Sequence, residues 1–421
     1  MSDLPKPSVP QSERAPTVAE AFPVWVRIGL LSFGGPAGQI ALMQDEVVSR
    51  KGWVAADSFD RGLAFSMMLP GPEAQQLATW LGWRLHGVVG GLIAGLSFIL
   101  PGAVLMILLA WTAAAHGDVP AVAAVFAGVQ PVVIALVLMA MGKIAGRALK
   151  RRLSWILAGA AFAALYFLGV PFPLVVAVAA VTGYLMPTDE PAETRTEAPP
   201  VMRHAALTAG VVVLLMTAVF VGVRDVAGPE PFDDVAALFT TAALVTFGGA
   251  YAVLPFVADQ AVETYRWLDA AAMLNGLAIA EATPGPLILV NTYAGFFAGW
   301  SAAGGAATGT LTAALATFYT FAPSFALILA FAPVVERLHS IPWVRRALSG
   351  VSAAVVGVIA NLAVYLAQAA FLPTGMAEPE WVKIVLFGAA LILVFWIRLP
   401  TLLLIGFGIA AGLGLHLAGL L

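Results

Sequence analysis

One stretch of this chain is written twice. Residues 33 to 72 run from Phe33-Gly34-Gly35 through Trp53 to Pro70-Gly71-Pro72, and residues 247 to 286 run from Phe247-Gly248-Gly249 through Trp267 to Pro284-Gly285-Pro286. Every landmark is displaced by 214 positions, and thirteen of the forty aligned residues are identical without a gap. Such an internal duplication means that the fold is built from two copies of one unit. Further on the repeat continues at an offset of 222, which aligns Pro101 with Pro323 and Gly128-Val129 with Gly350-Val351, so the second copy carries an insertion near 300 to 312.

The unit has to fold in lipid. Hydrophobic residues make up 61% of the 421, charged ones 11%, and the mean hydropathy is +0.92. A water-soluble chain carries about 25% charge, so an all-α polytopic membrane protein is expected. A spanning helix needs about 20 mainly apolar residues. That criterion picks out 19–35, 60–85, 88–115, 121–143, 154–170 and 172–187 in the first half. A lone segment at 204–223 follows, and then 234–249, 269–298, 302–332, 348–371, 381–397 and 400–420. Pro171-Phe172-Pro173 makes 154–187 either a tight pair or one bent element. The expected organisation is a cytoplasmic tail at 1–18 and a first repeat at 19–187. A Pro- and charge-rich linker at 188–203, a connecting helix at 204–223 and a second repeat at 232–421 complete it.

Thirteen spans place seven crossings between equivalent points of the copies, so the second copy enters the membrane from the opposite face. The basic loops agree, because cytoplasmic loops collect Lys and Arg. In the first half Lys143, Arg147, Lys150, Arg151 and Arg152 follow the fourth segment; in the second, Arg337, Arg345 and Arg346 follow the third. Inverted repeats with a cytoplasmic amino terminus are expected. Residues 36–60 then form an external loop, with Arg50 and Lys51 offset by nearby acids.

Both Pro-Gly-Pro triplets fall near mid-bilayer, where proline removes an N–H and glycine permits angles that a helix interior forbids. Each triplet should break its helix and start another, with Pro72 or Pro286 in the first helical position. A broken helix in lipid must be buried in protein or line a wet cavity. The N–H groups at a new helix start attract anions. Two such starts meeting near the midplane suit an oxyanion, whereas a single triplet is equally a packing kink. Phe33, Gly34, Gly35, Gly248 and Gly249 end the preceding helices and allow close backbone approach. Trp53 and Trp267 read as membrane-interface anchors.

Ionisable residues within spans are functional candidates. Arg27 offers a bidentate partner for a tetrahedral oxyanion, or alternatively pairs with Glu73. Glu73, directly after the first triplet, and Glu281, three residues before the second, suit coupling or gating; Glu73 also reads as a helix-dipole partner. Gln75, Gln76, Thr79, Asn275, Thr283 and Asn291 could line the same cavity or join helices to each other. The chain has no Cys and five scattered His, so no metal site or cofactor is expected, nor a nucleophile–base pair of an enzyme. No basic cluster interleaved with aromatics suggests nucleic acid. A homodimer is left open.

The run Phe33-Gly34-Gly35, Glu46-Val47-Val48, Trp53, Phe59, Ala64, Pro70-Gly71-Pro72, then Gly82, Gly87 and Gly90 resembles the signature of the chromate ion transporter family, in its long form with two homologous halves. The resemblance implies efflux of chromate across the bacterial inner membrane, with sulfate as the isosteric oxyanion. It also adds Glu46 to the coupling or gating candidates, although Gln260 stands in its place in the second copy. An anion channel is the alternative.

Overall fold

The computed structural model describes residues 16–185, 202–247, 249–303, 305–334, 342–373, 375 and 378–420. Among them are sixteen α-helices and no strand. The first half contains α1 (Val18–Leu31), α2 (Gly35–Met43), α3 (Ala56–Ser66), α4 (Glu73–His116), α5 (Pro120–Ala148), α6 (Arg152–Leu168) and α7 (Phe172–Leu185). After α8 (Met202–Ala227) the same order returns as α9 (Phe232–Val245), α10 (Ala250–Asp259), α11 (Ala270–Ala282), α12 (Val290–Ala303), α13 (Ala306–Phe331), α14 (Pro342–Phe371), α15 (Trp381–Ile392) and α16 (Thr401–Leu417). The helices α1 and α9 match end for end at the 214-residue offset. By length and composition, α4, α5, α13 and the apolar parts of α8 and α14 suffice to cross a membrane, and six further apolar helices are shorter.

Local chemistry sets the boundaries. Thr17 and Glu20 close a capping box on α1, which ends where Gly34 and Gly35 turn at φ +84° and +71°. The long helix α4 is two arms, because His86 and Gly87 leave helical angles, with Gly87 at φ +60°. The counterpart of this hairpin in the second half is α12 followed by α13. Gly169, left-handed, stops α6 and makes 152–185 a pair of helices rather than one bent element.

Some expectations are corrected. Residues 36–60 are not a loop: α2 runs on into a π-helical turn, Gln44–Arg50, and α3 begins at Ala56. The second copy has its own π turn, Gln260–Thr264, and both close with a tryptophan N–H, Trp53 to Val47 and Trp267 to Ala261. Trp267 is buried against Tyr265 and Phe239 rather than anchored at a surface. The connecting helix already starts at Met202, so the linker is shorter than 188–203, whose residues 188–201 lie outside the described residues, as do residues 1–15 of the tail.

The halves exchange packing partners. Helix α5 lies along α16, and its equivalent α14 lies along α7. At the crossings Gly128 meets Gly408 and Gly412, while Gly350 meets Gly183, with backbone too close for any Cβ. These are equivalent positions in the two copies, as in small-residue helix contacts of membranes generally. At the centre lie the first arm of α4, buried on all sides from Ala74 to Gly82, and the segment from Leu287 through α12. Those two segments follow the two triplets. A helix buried all round carries no solvent face, so its polar residues must find partners inside the protein.

Candidate functional site

Both triplets break the chain as expected. Gly71 sits at φ +123° and Gly285 at φ +98°, angles that an L side chain rarely adopts. Pro72 and Pro286 are N-caps rather than first helical residues, because the backbone becomes helical only at Glu73 and Leu287. The second restart is a 3-10 turn, Leu287–Leu289, before α12.

Each break is held by the other half. The Gly71 N–H donates to the Thr246 carbonyl at 2.8 Å, and the Gly285 N–H donates to the Ser32 carbonyl at 3.0 Å. Ser32 and Thr246 are the C-caps of α1 and α9, and they occupy equivalent places 214 residues apart. The chain just before Phe-Gly-Gly in one copy therefore accepts from Pro-Gly-Pro in the other. A second exchange accompanies the first. Ser324, after Pro323, lies against Gly71, and Gly102, after Pro101, lies against Pro284 with no space for a Cβ.

Two glutamines tie the freed carbonyls. Gln76 Nε2 donates to Pro70 O at 2.8 Å, and Gln39 Nε2 donates to Gly285 O at 2.7 Å and Ser32 O at 3.2 Å. Both side chains are buried, and among the described residues neither amide oxygen has a partner. Around the first break, Ser324 Oγ donates to Gln75 Oε1 and Gln75 Nε2 donates to Thr79 Oγ1. One turn earlier on α13, Thr320 accepts from Asn291, so the starts of both restarted helices attach to one face of α13.

The two restarts differ in chemistry. The first internal bond of α4 is Gln76 N–H to Pro72 O, which leaves the N–H groups of Glu73, Ala74 and Gln75 ahead of it, the first of them taken by the Glu73 carboxylate itself. Side chains of Gln75, Gln76, Thr79 and Ser324 surround that start. The second restart is walled by buried Leu287, Ile288 and Leu289. Among the described residues the first restart is the one whose opening turn is set among polar side chains.

The acidic candidates lie close to the breaks. A Cβ on Gly249 would stand 3.4 Å from Glu73 Oε1, so this carboxylate from the first half abuts the start of α10 in the second. Two residues on, Tyr251 O–H donates to the buried Glu281 carboxylate. Asn275 accepts from Gln130 of α5 at 2.8 Å, and the Thr283 hydroxyl donates to Ala280 O.

Arg27 is elsewhere. Its guanidinium pairs with Glu46 Oε1 at 3.4 Å, not with Glu73, and its side chain is 54% exposed beside Phe22, Val26 and Leu30. Glu46, buried on the π turn, also takes Arg50 at 3.2 Å, while Arg50 reaches Asp45. Arg27 and Glu46 thus form one cluster with each other. Of the remaining candidates, Phe33 follows the Ser32 carbonyl that receives Gly285, and Gly34 and Gly35 open α2; Gly248 lies outside the described residues. Ser32, Gln39, Thr246, Tyr251, Thr320 and Ser324 escaped sequence reasoning. Gln39 fell in a stretch read as a loop, and the signal for Ser324 was its place after the repeated Pro101/Pro323.

A family model described as "Chromate transporter" matches residues 19–184 and 234–413. A chromate transport protein of Pseudomonas aeruginosa is 33% identical over 362 residues, covering 83% of this chain and 81% of its own. One of Cupriavidus metallidurans is 25% identical over 358 residues, 84% of this chain and 83% of its own. An uncharacterized transporter of Bacillus subtilis is 35% identical over 147 residues, which are 73% of that protein but 34% of this chain. No solved structure matches.

Proposed function

Because the chain belongs to the chromate transporter family, matched over both halves, we propose that it is a secondary transporter exporting chromate across the bacterial inner membrane, with sulfate competing. The family is one of transport proteins, not enzymes. The observation that carries the mechanism is the reciprocal pair of hydrogen bonds, Gly71 to Thr246 and Gly285 to Ser32. Neither break can move without displacing the first-helix end of the opposite copy. Such reciprocity suits alternating access, in which one half rocks against the other around a fixed site.

The exchanged packing of α5 with α16 and α14 with α7 is that of two units related by a two-fold axis. The basic loops, expected on opposite sides, support an axis in the membrane plane, with thirteen crossings and a cytoplasmic amino terminus. The oxyanion binds at the start of α4, where the N–H groups of Ala74 and Gln75 and the helix dipole favour negative charge. Ser324, Gln75 and Thr79 complete the shell, and the apolar second break is its mechanical counterpart. The Arg27–Glu46 pair fastens α1 to the π turn and gates from outside the shell. Moving a dianion outward across an inside-negative potential releases about 4.6 kcal/mol per 100 mV.

Everted membrane vesicles test this reading. Chromate uptake should saturate and be inhibited by sulfate. Conductive flux without saturation would make the protein a channel, and absence of any flux above that of empty-vector vesicles would refute both.

A further inference from the structure

The oxyanion shell at the start of α4 contains a carboxylate. Glu73 is its first residue, and its carboxylate takes the backbone N–H of the same residue. A carboxylate and a bound dianion within one helix turn repel each other in a medium with little water to screen them. The second acid, Glu281, is joined to the same place through α10: Gly249, at the N-cap of α10, lies beside the Glu73 carboxylate, and Tyr251 on its first turn donates to Glu281. One short segment of the second half therefore connects a carboxylate from each copy, one on either side of the breaks. Tyr251 of α10 and Lys143 of α5 are the titratable groups whose fields reach Glu281. The helices packed on α11 also carry Glu73, Arg84, His86 and His116 (α4), Arg147 (α5), Tyr293 (α12), Arg345, Arg346 and Tyr365 (α14) and His416 (α16).

Building on the transporter reading, we propose that Glu73 and Glu281 are a proton-binding pair, with Tyr251 as the positioning residue for Glu281, and that oxyanion and proton occupy the site together. Binding of the anion favours the protonated pair, and by linkage a bound proton strengthens anion binding equally. Proton and anion therefore travel in the same direction. With one proton per dianion the transported unit keeps one negative charge, so the membrane potential still drives export.

The test uses the purified full-length protein and sulfate, an anion that brings no proton of its own near neutral pH, with chromate at alkaline pH as the second probe. Calorimetric titration in buffers of different ionisation enthalpy counts protons taken up on binding. Wild-type protein should take up close to one proton, and affinity should rise by up to about tenfold for each unit of falling pH. Glu281→Gln and Glu73→Gln should each reduce that uptake and flatten the pH dependence. Tyr251→Phe should move the pH midpoint while binding persists. Binding without proton uptake in the wild type, or unchanged uptake in both Gln variants, overturns the proposal. A Tyr251→Phe profile that superimposes on wild type removes Tyr251 from it. If wild-type protein binds neither anion, the transporter reading fails first and this proposal falls with it.

Discussion

Replacing Gly71 with alanine tests the reciprocal breaks at their most constrained atom. At φ +123° an L residue costs about 1–3 kcal/mol in backbone strain. The new Cβ would also lie 2.7 Å from Gln76 Nε2 and 2.9 Å from Ser324 Oγ. Both atoms sit on side chains able to move, but each holds a hydrogen bond, Gln76 to Pro70 O and Ser324 to Gln75. Displacing one of them loses about 0.5–1.5 kcal/mol. Together these disfavour the conformation by about 2–4 kcal/mol, a shift in population of roughly 30-fold or more, since about 1.4 kcal/mol is tenfold. Initial rates of chromate uptake into everted vesicles, normalised to inserted protein, should fall at least about tenfold. The control is Gly52→Ala, at φ +61° with nothing within 4 Å, which imposes backbone strain alone, far from the breaks. A Gly71→Ala protein that inserts and transports at the wild-type rate would refute the reasoning. Equal losses in the two variants would show that strain anywhere suffices.

Gly128→Ala and Gly350→Ala should each lower thermal stability in detergent by an amount corresponding to about 1–3 kcal/mol, because the added methyl meets backbone of the other half; Gly142→Ala, in open space, should not. If the two losses differ greatly, the exchange is not symmetric in energy. A double-mutant cycle of Arg27→Gln with Glu46→Gln should give a coupling of no more than about 1 kcal/mol, since Arg27 is half exposed and Arg50 remains. Arg27→Gln should leave the chromate KM within about twofold, and loss of saturable binding would return Arg27 to the substrate shell. Single cysteines at Lys150 and Glu380 should label from opposite sides of the membrane, and labelling from one side would rule out inversion. Gln76→Leu, which unties Pro70 O and leaves a buried carbonyl unpaired, should destabilise by about 1–3 kcal/mol; an unchanged melting temperature would contradict that.

Much of the fold follows from local rules that act wherever the residues stand. A run of apolar residues makes a helix in lipid, Gly87 and Gly169 end one, and Pro-Gly-Pro interrupts one. The expected segments 60–85 and 88–115 therefore coincide with α3, the first break and the two arms of α4. The stretch 36–60 misled because its charged and glycine residues resemble a loop, whereas the π turn at Gln44–Arg50 buries Glu46 against Arg27 and Arg50. Helix α10 falls between the expected segments 234–249 and 269–298, and it is buried at Ala252, Val253, Leu254 and Val257 among helices that no sequence window includes.

What the sequence determined by itself was the duplication, the membrane-type helices, the two broken points and the acids beside them, because repetition, hydropathy and the special backbone of proline and glycine are properties of a residue and its near neighbours. Only the tertiary structure decided which partners those features take. The N–H freed at Gly71 needs an acceptor, and the one within reach belongs to Thr246, in the other copy. For Arg27 the sequence offered an oxyanion or Glu73 as partner, and the π turn brought Glu46 to it instead. The duplication told that there were two breaks; the packing made each the other's support, because a buried hydrogen bond is satisfied by proximity in space and carries no memory of order along the chain.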